Sequence, residues 1–373
     1  MTVPDAATIV ERGIPDRVAT DDLAPRLAAE IEFLADRRAP SGDSDVFDDG
    51  VHARRLVVAG DGGAARRLLA GLDPATLSLQ GVAAAAWAAS RVGPRSVVGA
   101  LTGVFRSGPD TLEDDGIPLG PRDRYLGSLL AAAGDLDGAA EALRRAAAVG
   151  DVRAPIWGAL ARAELARVLQ TASALGPGSP LGAVDGELRR ASVAARTFFA
   201  AGGYRGLLTR FDREVGSPDH PGTAATGVLW HADSWTGGFG VQPASAIGGG
   251  TGLRAIHHLL VHRDRPVAAV ELGRVIEGGD GTEIADALAG VDPLALVLPR
   301  AGGVLSARVA ELRALVLDET VRSRVGKAMH RTIDRLAADQ PVLAAHLAAA
   351  VRTGHVCRYD SPTPVEWVLS EPA

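Results

Sequence analysis

Residues 121–146 read PRDRYLGSLLAAAGDLDGAAEALRRA. Small and apolar residues recur at helical spacing on both sides of Gly134, which predicts two helices joined by a glycine turn. Glycine permits the tight reversal, and small side chains let such a pair pack closely. The same grammar extends outward. "GVAAAAWAASRVG" (81–93), "RSVVGALTGVF" (95–105), "PIWGALARAELARVLQ" (155–170) and "DGELRRASVAARTFFAAGG" (185–203) each end near glycine or proline, as helix stop signals should. Further upstream, Leu23, Leu27, Ile31 and Leu34 mark one more amphipathic helix, followed by the Gly/Ser/Asp-rich connection "APSGDSDVFDDG" (39–50).

One phrase recurs. "AGDGGAARRLL" around Gly60 and "AGDLDGAAEAL" around Gly134 are variants of a turn followed by a helix, and "AAGGYRGLL" around Gly202 marks a third turn. The turns lie roughly seventy residues apart, close to two helical hairpins of ~34 residues each. On these residues the Pro121–Ala146 stretch resembles a tetratricopeptide unit, with Tyr125, Gly127, Gly138, Ala139 and Leu143 at matching places. That resemblance implies an α-helical array with a concave, partner-binding surface. Repeat geometry then makes Tyr125, Trp157 and Tyr204 the candidate lining of an inner groove for a protein or peptide. A plain Ala-rich helical bundle is the alternative.

Near residue 216 the composition changes. "VGSPDHPGTAATG" (215–227) reads as a linker, and the period then shifts from helical to alternating in "VLWHADSWTGGFG" and "VQPASAIGG", which predicts a small antiparallel sheet. Two helical stretches follow, "TGLRAIHHLLVHRD" and "PVAAVELGRVIEGG". After a mixed segment come "SARVAELRALVLDETVRSRVGKAMHRTIDRLAADQ", "PVLAAHLAAAVRTG" and the strand-like "HVCRYDS" and "PVEWVLS". The expected fold class is mainly α, an N-terminal helical array followed by an α+β domain. Its parts are an N-terminal helix and connection (1–50), the repeat domain (51–215), a linker (216–228) and a second domain (229–373) with an insert near 278–318.

The order of the second domain resembles an OmpR-type winged helix. "GLRAIHHLLVHRDRPVAAVELGRVI" is similar to that family's first helices, "VGKAMHRTIDRL" sits where its recognition helix sits, and "AAAVRTGHVCRY" resembles its wing. The span from Trp230 to Trp367 also resembles the C-terminal part of large actinobacterial regulators and ATPases that carry helical repeats. The resemblance implies contact with double-stranded DNA, with a homodimer as an expectation by analogy. Two departures stand against it. The chain has no G-x-x-x-x-G-K-[ST] nucleotide loop, and the insert separates the pieces that must combine into a DNA reader.

The helix that follows the insert concentrates cations. Arg322, Arg324, Lys327, Arg331 and Arg335 stand against Asp318, Glu319 and Asp334, and Arg324, Lys327 and Arg331 share one helix face. Arg352, His355 and Arg358 add to them from the wing. These eight residues are the candidate DNA-binding set, because such a face can sit on phosphates and arginine can also read guanine edges. The overall charge is opposite in sign: Lys+Arg 39 against Asp+Glu 45 gives −6, so the basic surface has to be local.

Other signals point away from chemistry. His258 and His262 have the i, i+4 spacing of a metal pair, but no HExxH motif is present and Glu271 lies beyond the next turn, so structural histidines are expected and no metal or cofactor. His231 and Asp233 have no serine or cysteine nucleophile beside them. "IGGGTG" (247–252) could hold an anion at a helix start, but reads as a hairpin turn with Thr251 as N-cap. Cys357, the single cysteine, excludes a disulfide framework and reads as a buried apolar residue. Trp230, Trp235 and Trp367 read as core anchors of the sheet. No run of ~18 apolar residues suggests a membrane span, and "MTVPDAATIVERG" lacks a basic start and apolar core, so a cytoplasmic location is expected. The functional expectation is a transcription-regulator-like protein. A non-catalytic adaptor that uses the winged helix for protein contact is the alternative, and an enzyme of specialised metabolism comes third.

Overall fold

Gly134 adopts φ 92°, a left-handed conformation that glycine enters without strain, and its helix ends there. Asp135 N–H then donates back to the Leu130 carbonyl, while the Asp135 carboxylate caps the next helix by accepting from Gly138 N–H at 2.9 Å. Gly60 and Asp61 repeat the device: φ is 88°, Asp61 N–H bonds the Leu56 carbonyl, and the Asp61 side chain accepts from Ala64 N–H at 2.8 Å. The recurring Gly-Asp phrase is therefore a stop signal and a start signal side by side. At the third turn the left-handed residue is Gly203, and no aspartate follows it.

The computed structural model describes residues 48–114, 117–175, 179, 181, 184–215, 225–297, 307–361 and 364–370. The expected helix through Leu23 and Leu34 and most of the expected linker lie outside the described residues. The chain is mainly helical with small sheets, and divides into two compact units. The first comprises residues up to Ser173, Ser179–Thr223 and Gly240–Pro243; the second comprises Ala174–Gly178, Ala224–Phe239 and Ala244–Ala373.

In the first unit, helices α1 (Asp49–Ala59), α2 (Gly62–Ala70), α3 (Leu79–Val92) and α4 (Arg95–Phe105) precede a β-hairpin, β1 (Thr111–Asp114) and β2 (Ile117–Pro121). Then come α5 (Arg122–Ala133), α6 (Leu136–Arg153), α7 (Pro155–Ala174), α8 (Asp185–Ala201) and α9 (Arg205–Val215). The hairpin corrects the reading of this half as helix after helix. It is too short, and too rich in Gly, Pro and Asp, to show a periodicity of its own. The core is alanine-rich, with Ala83 to Ala86 of α3 essentially inaccessible.

The second unit begins with β3 (Ala225–His231), β4 (Trp235–Phe239) and β5 (Gln242–Ile247). These form a four-stranded sheet in the order β5-β4-β3-β9, completed by β9 (Val365–Leu369), which runs parallel to β3. Trp235 is buried and Trp367 is half-buried, its ring over Gly227, whereas Trp230 is 46% exposed and anchors nothing. Helix α10 (Thr251–Val261) follows, with Gly250 rather than Thr251 at its N-cap and no side-chain cap. Next are β6 (Val267–Ala268) and α11 (Ala269–Ile276).

The expected insert holds three short helices, α12 (Thr282–Ala287), α13 (Pro293–Val297) and α14 (Ala307–Val316). They pack their own small core of Ile284, Leu288, Leu296, Leu312 and Val316 against Ala268 and Val356. Helix α15 (Glu319–Asp339) is capped by Asp318, which accepts from Thr320 and Val321 N–H groups. It stops at Gln340, where Pro341 opens α16 (Pro341–Ala350). The chain closes a second sheet, β6-β8-β7, from the hairpin β7 (Val351–Arg352) and β8 (Val356–Tyr359).

Helix α15 buries Val325, Met329, Thr332, Ile333 and Leu336 at helical spacing and leaves its opposite face to solvent. Gly252 sets how closely α10 lies on it. A Cβ there would come within 2.3 Å of the Ala328 carbonyl oxygen and of Thr332 Oγ1. Gly252→Val is accordingly expected to cost about 1–3 kcal/mol by forcing the helices apart, measurable as a lower urea midpoint at unchanged slope.

Candidate functional site

The exposed face of α15 carries Arg324, Lys327, Arg331 and Arg335. All four line one open cleft of about 1010 Å³, whose other wall includes Thr251 at the start of α10 and Ile276 at the end of α11. Asp334 is the one carboxylate in its lining. Arg335 is held by its own helix, donating through Nε to the Arg331 carbonyl and through Nη2 to Thr332 Oγ1, both at 3.3 Å. Its guanidinium lies so close to Gly250 that a Cβ there would be 2.8 Å from Nη2. A guanidinium thus stands beside the uncapped N-terminus of α10, where free backbone N–H groups also favour an anion. The "IGGGTG" stretch, read from sequence as a simple turn and cap, is part of this cleft. Its partner sits some eighty positions downstream, which is why the sequence did not reveal the pairing.

Not every expected cation joins this face. Arg324 is shared with Glu277, Nη1 to Oε1 2.8 Å. Arg322 forks onto Glu319, donating through Nε at 2.8 Å, and His355 Nε2 lies 3.4 Å from the same carboxylate. Glu319 therefore holds Arg322 and His355 together, outside the cleft. Lys327 and Arg331 have no carboxylate partner among the described residues.

The wing cations form a separate feature. Arg352 and Arg358 are register partners across the antiparallel β7–β8 pair, and both are exposed. Like charges placed directly opposite each other repel, a small cost that a bound anion would remove. No residue of this hairpin lines the cleft. It meets the adjacent face of α15 at a small cavity of about 80 Å³ lined by His330, Asp334 and Thr353. The expected eight-residue DNA-binding set therefore divides into a four-cation cleft, a two-arginine hairpin and the pair Arg322 and His355 on Glu319. None of the insert's described residues lines the cleft, and their apolar side packs on Ala268 and Val356.

The aromatic groove in the first unit is also corrected. Tyr125, Trp157 and Tyr204 are 3%, 2% and 5% exposed, so none offers a surface to a partner. Tyr125 stacks on Phe105 at 5.4 Å and donates from its hydroxyl to the Leu119 carbonyl at 2.7 Å. Trp157 packs over Gly120 beneath the Arg124 guanidinium, and Tyr204 stacks on Phe198. Aromatics this large fill core space before they line a groove, and the hairpin β1–β2, unseen in sequence, supplies the surface that covers two of them.

A second concavity of the second unit, about 270 Å³, is lined by His231, Trp235, Arg254, His257, His258 and Asp280, among others. Ser370 Oγ accepts from His231 N–H at 3.0 Å and faces His257 Nε2 at 3.2 Å. Burial pushes the His257 pKa down, so it sits there as neutral imidazole. Asp233, expected beside His231, is exposed and does not line this cavity. Cys357 is fully buried, its thiol pKa raised by burial, which suits an inert core residue.

No protein-family model matches the chain, and comparison with curated proteins and with solved structures gives no match either. Among the described residues no helix is long and apolar enough to cross a membrane.

Proposed function

We propose that the second unit is a polyanion-binding module. More particularly, we infer a transcription-regulator-like protein in which this unit is a modified winged helix that contacts double-stranded DNA and the first unit is a tetratricopeptide-like array that receives a partner or signal. The observation that carries the reading is the open cleft in which Arg324, Lys327, Arg331 and Arg335 gather on one face of α15, clear of the insert's described residues. The strand order β6-β8-β7 adds support, since it ties the terminal hairpin to the short strand between α10 and α11. The repeat reading draws on the two Gly-Asp turns and on Gly127, where a Cβ would strike Leu143 at 2.6 Å, so that α5 and α6 pack at closest approach.

The test is the triple replacement of Arg324, Lys327 and Arg331 by alanine, all three exposed and therefore dispensable for folding. The parent is expected to bind duplex DNA with a steep salt dependence. The variant should bind about 100-fold more weakly at low salt and lose roughly three phosphate contacts' worth of slope. Equal affinity of the two proteins overturns the reading.

The adaptor reading has one specific observation in its favour: Glu277 and Glu319 already pair with three of the eight expected DNA-binding residues. Failure of the parent to be retained on heparin or DNA at low salt would favour a protein partner instead.

A further inference from the structure

Glu271 is 1% exposed, and its carboxylate faces the helix that precedes it. His258 Nε2 lies 2.8 Å from its Oε1, and the His262 ring stands 4.5 Å from the His258 ring. One ligand atom from each of His258, His262 and Glu271 lies within 4.8 Å of the other two. We propose that these three residues form a binding site for a divalent transition metal of the zinc class.

The donor set fits that chemistry. Two imidazoles and a carboxylate suit a borderline ion such as Zn²⁺, and three protein ligands leave one position for water. Metal–ligand bonds of about 2.0–2.1 Å place tetrahedral donors roughly 3.3 Å apart. The existing triangle reaches that by small side-chain rotations, with His258 and Glu271 parting slightly and His262 closing in. His258 and His262 are one turn apart at the C-terminal end of α10, and Glu271 lies in the first turn of α11. The sequence alone offers only the histidine pair, and the turn between the helices brings in the carboxylate.

Binding would replace the hydrogen bond between His258 Nε2 and Glu271 Oε1 with bonds from both atoms to the ion. Arg265 donates to both carboxylate oxygens, Nη2 to Oε1 at 2.6 Å and Nη1 to Oε2 at 3.1 Å. Its side chain is 36% exposed, so it can give up Oε1 to the ion and still orient the carboxylate through Oε2. His258 also lines the 270 Å³ concavity, which supplies a path from solvent to the site. A bound ion would staple α10 to α11, the two helices that carry the wall opposite α15.

The test uses the full chain, stripped with chelator and desalted, titrated with Co²⁺ and followed by its visible d–d absorption, then back-titrated with Zn²⁺. One ion per chain is expected, and Zn²⁺ at a hundredfold excess over its dissociation constant should raise the melting temperature by roughly 5 °C. Loss of one ligand in His262→Ala should weaken binding at least about 10-fold. His262 has no hydrogen bond to Glu271, so this variant keeps the fold; His258→Ala is the second variant, checked for helicity by circular dichroism. Absence of the Co²⁺ band in the parent overturns the proposal, as does parent-like affinity in either folded variant. Loss of both the band and the thermal shift in both variants sustains it.

Discussion

His346→Ala is expected to destabilise the second unit by about 3–5 kcal/mol. The imidazole is fully buried and stacked on Phe239 at 4.0 Å. Its Nε2 faces Tyr359 Oη at 2.7 Å, and its Nδ1 faces the Ala174 carbonyl, a residue of the same unit, at 3.3 Å. Trp367 Nε1–H can only donate, and does so to Tyr359 Oη at 3.0 Å. The tyrosine hydroxyl therefore donates to His346 Nε2, and His346 Nδ1–H donates to the carbonyl. One neutral tautomer closes the chain and joins α16, β4, β8 and β9.

Burial pushes the His346 pKa down to about 4, despite the carbonyl that favours the cation. The unfolded chain protonates this histidine near its ordinary value of ~6.5. Between those values the unfolded state binds more protons, so stability is full above about 6.5 and declines as pH falls toward 4. The expected loss over that window is about 3 kcal/mol. Denaturant titrations at pH 7 and pH 4.5, read by the Trp and Tyr signal of this unit, measure it. His346→Phe, which cannot titrate, should flatten the dependence. A parent with equal stability at the two pH values would contradict the assignment.

The first unit is expected to fail from a different group and in a lower window. Glu164 lies in α7 with Arg91 and Arg167 on its two oxygens, the latter at 2.8 Å, and Arg167 also reaches Glu214 at 3.1 Å. Burial would push the Glu164 pKa up, but the two guanidinium charges and their hydrogen bonds outweigh it and hold the carboxyl at about 2. Burial in turn lowers the Arg91 pKa, with Glu164 opposing. Glu164→Ala leaves the buried guanidiniums of Arg91 and Arg167 to share Glu214, a cost of about 3 kcal/mol. Glu164→Gln keeps the shape and loses the charge, so it should fall between parent and alanine variant. Because the folded pKa is depressed, this contribution is present above about 4.5 and drains away as pH falls toward 2. Thermal melts of the two variants at neutral pH check the first claim, and an acid titration by circular dichroism checks the second. Acid should loosen the second unit first and the first unit afterwards.

Legibility differed between fold and site for physical reasons. Helices such as Arg95–Phe105 and Asp185–Ala201 could be read from the chain because their apolar spacing and stop residues are local. The β1–β2 hairpin could not, because a stretch of eleven residues with seven Gly, Pro or acidic ones looks like any loop until a helix layer covers it. Spacing alone puts Arg324, Lys327 and Arg331 on one helix face, and they share one cleft. Arg322 and His355 stand apart from them, since their common partner Glu319 is a matter of where a hairpin lands on a helix.

By itself, the order of residues determined that this chain is built mainly from helices, where most of them start and stop, and which face of α15 is cationic. These are properties of periods of three to four residues and of single glycines, aspartates and prolines. Only the tertiary structure decided that the insert's described residues stay clear of that face, that the GGG-Thr turn meets Arg335, that Glu271 closes on His258, and that His346 is fully buried. Each depends on where separate elements come to lie once the chain has folded, and no local pattern records that.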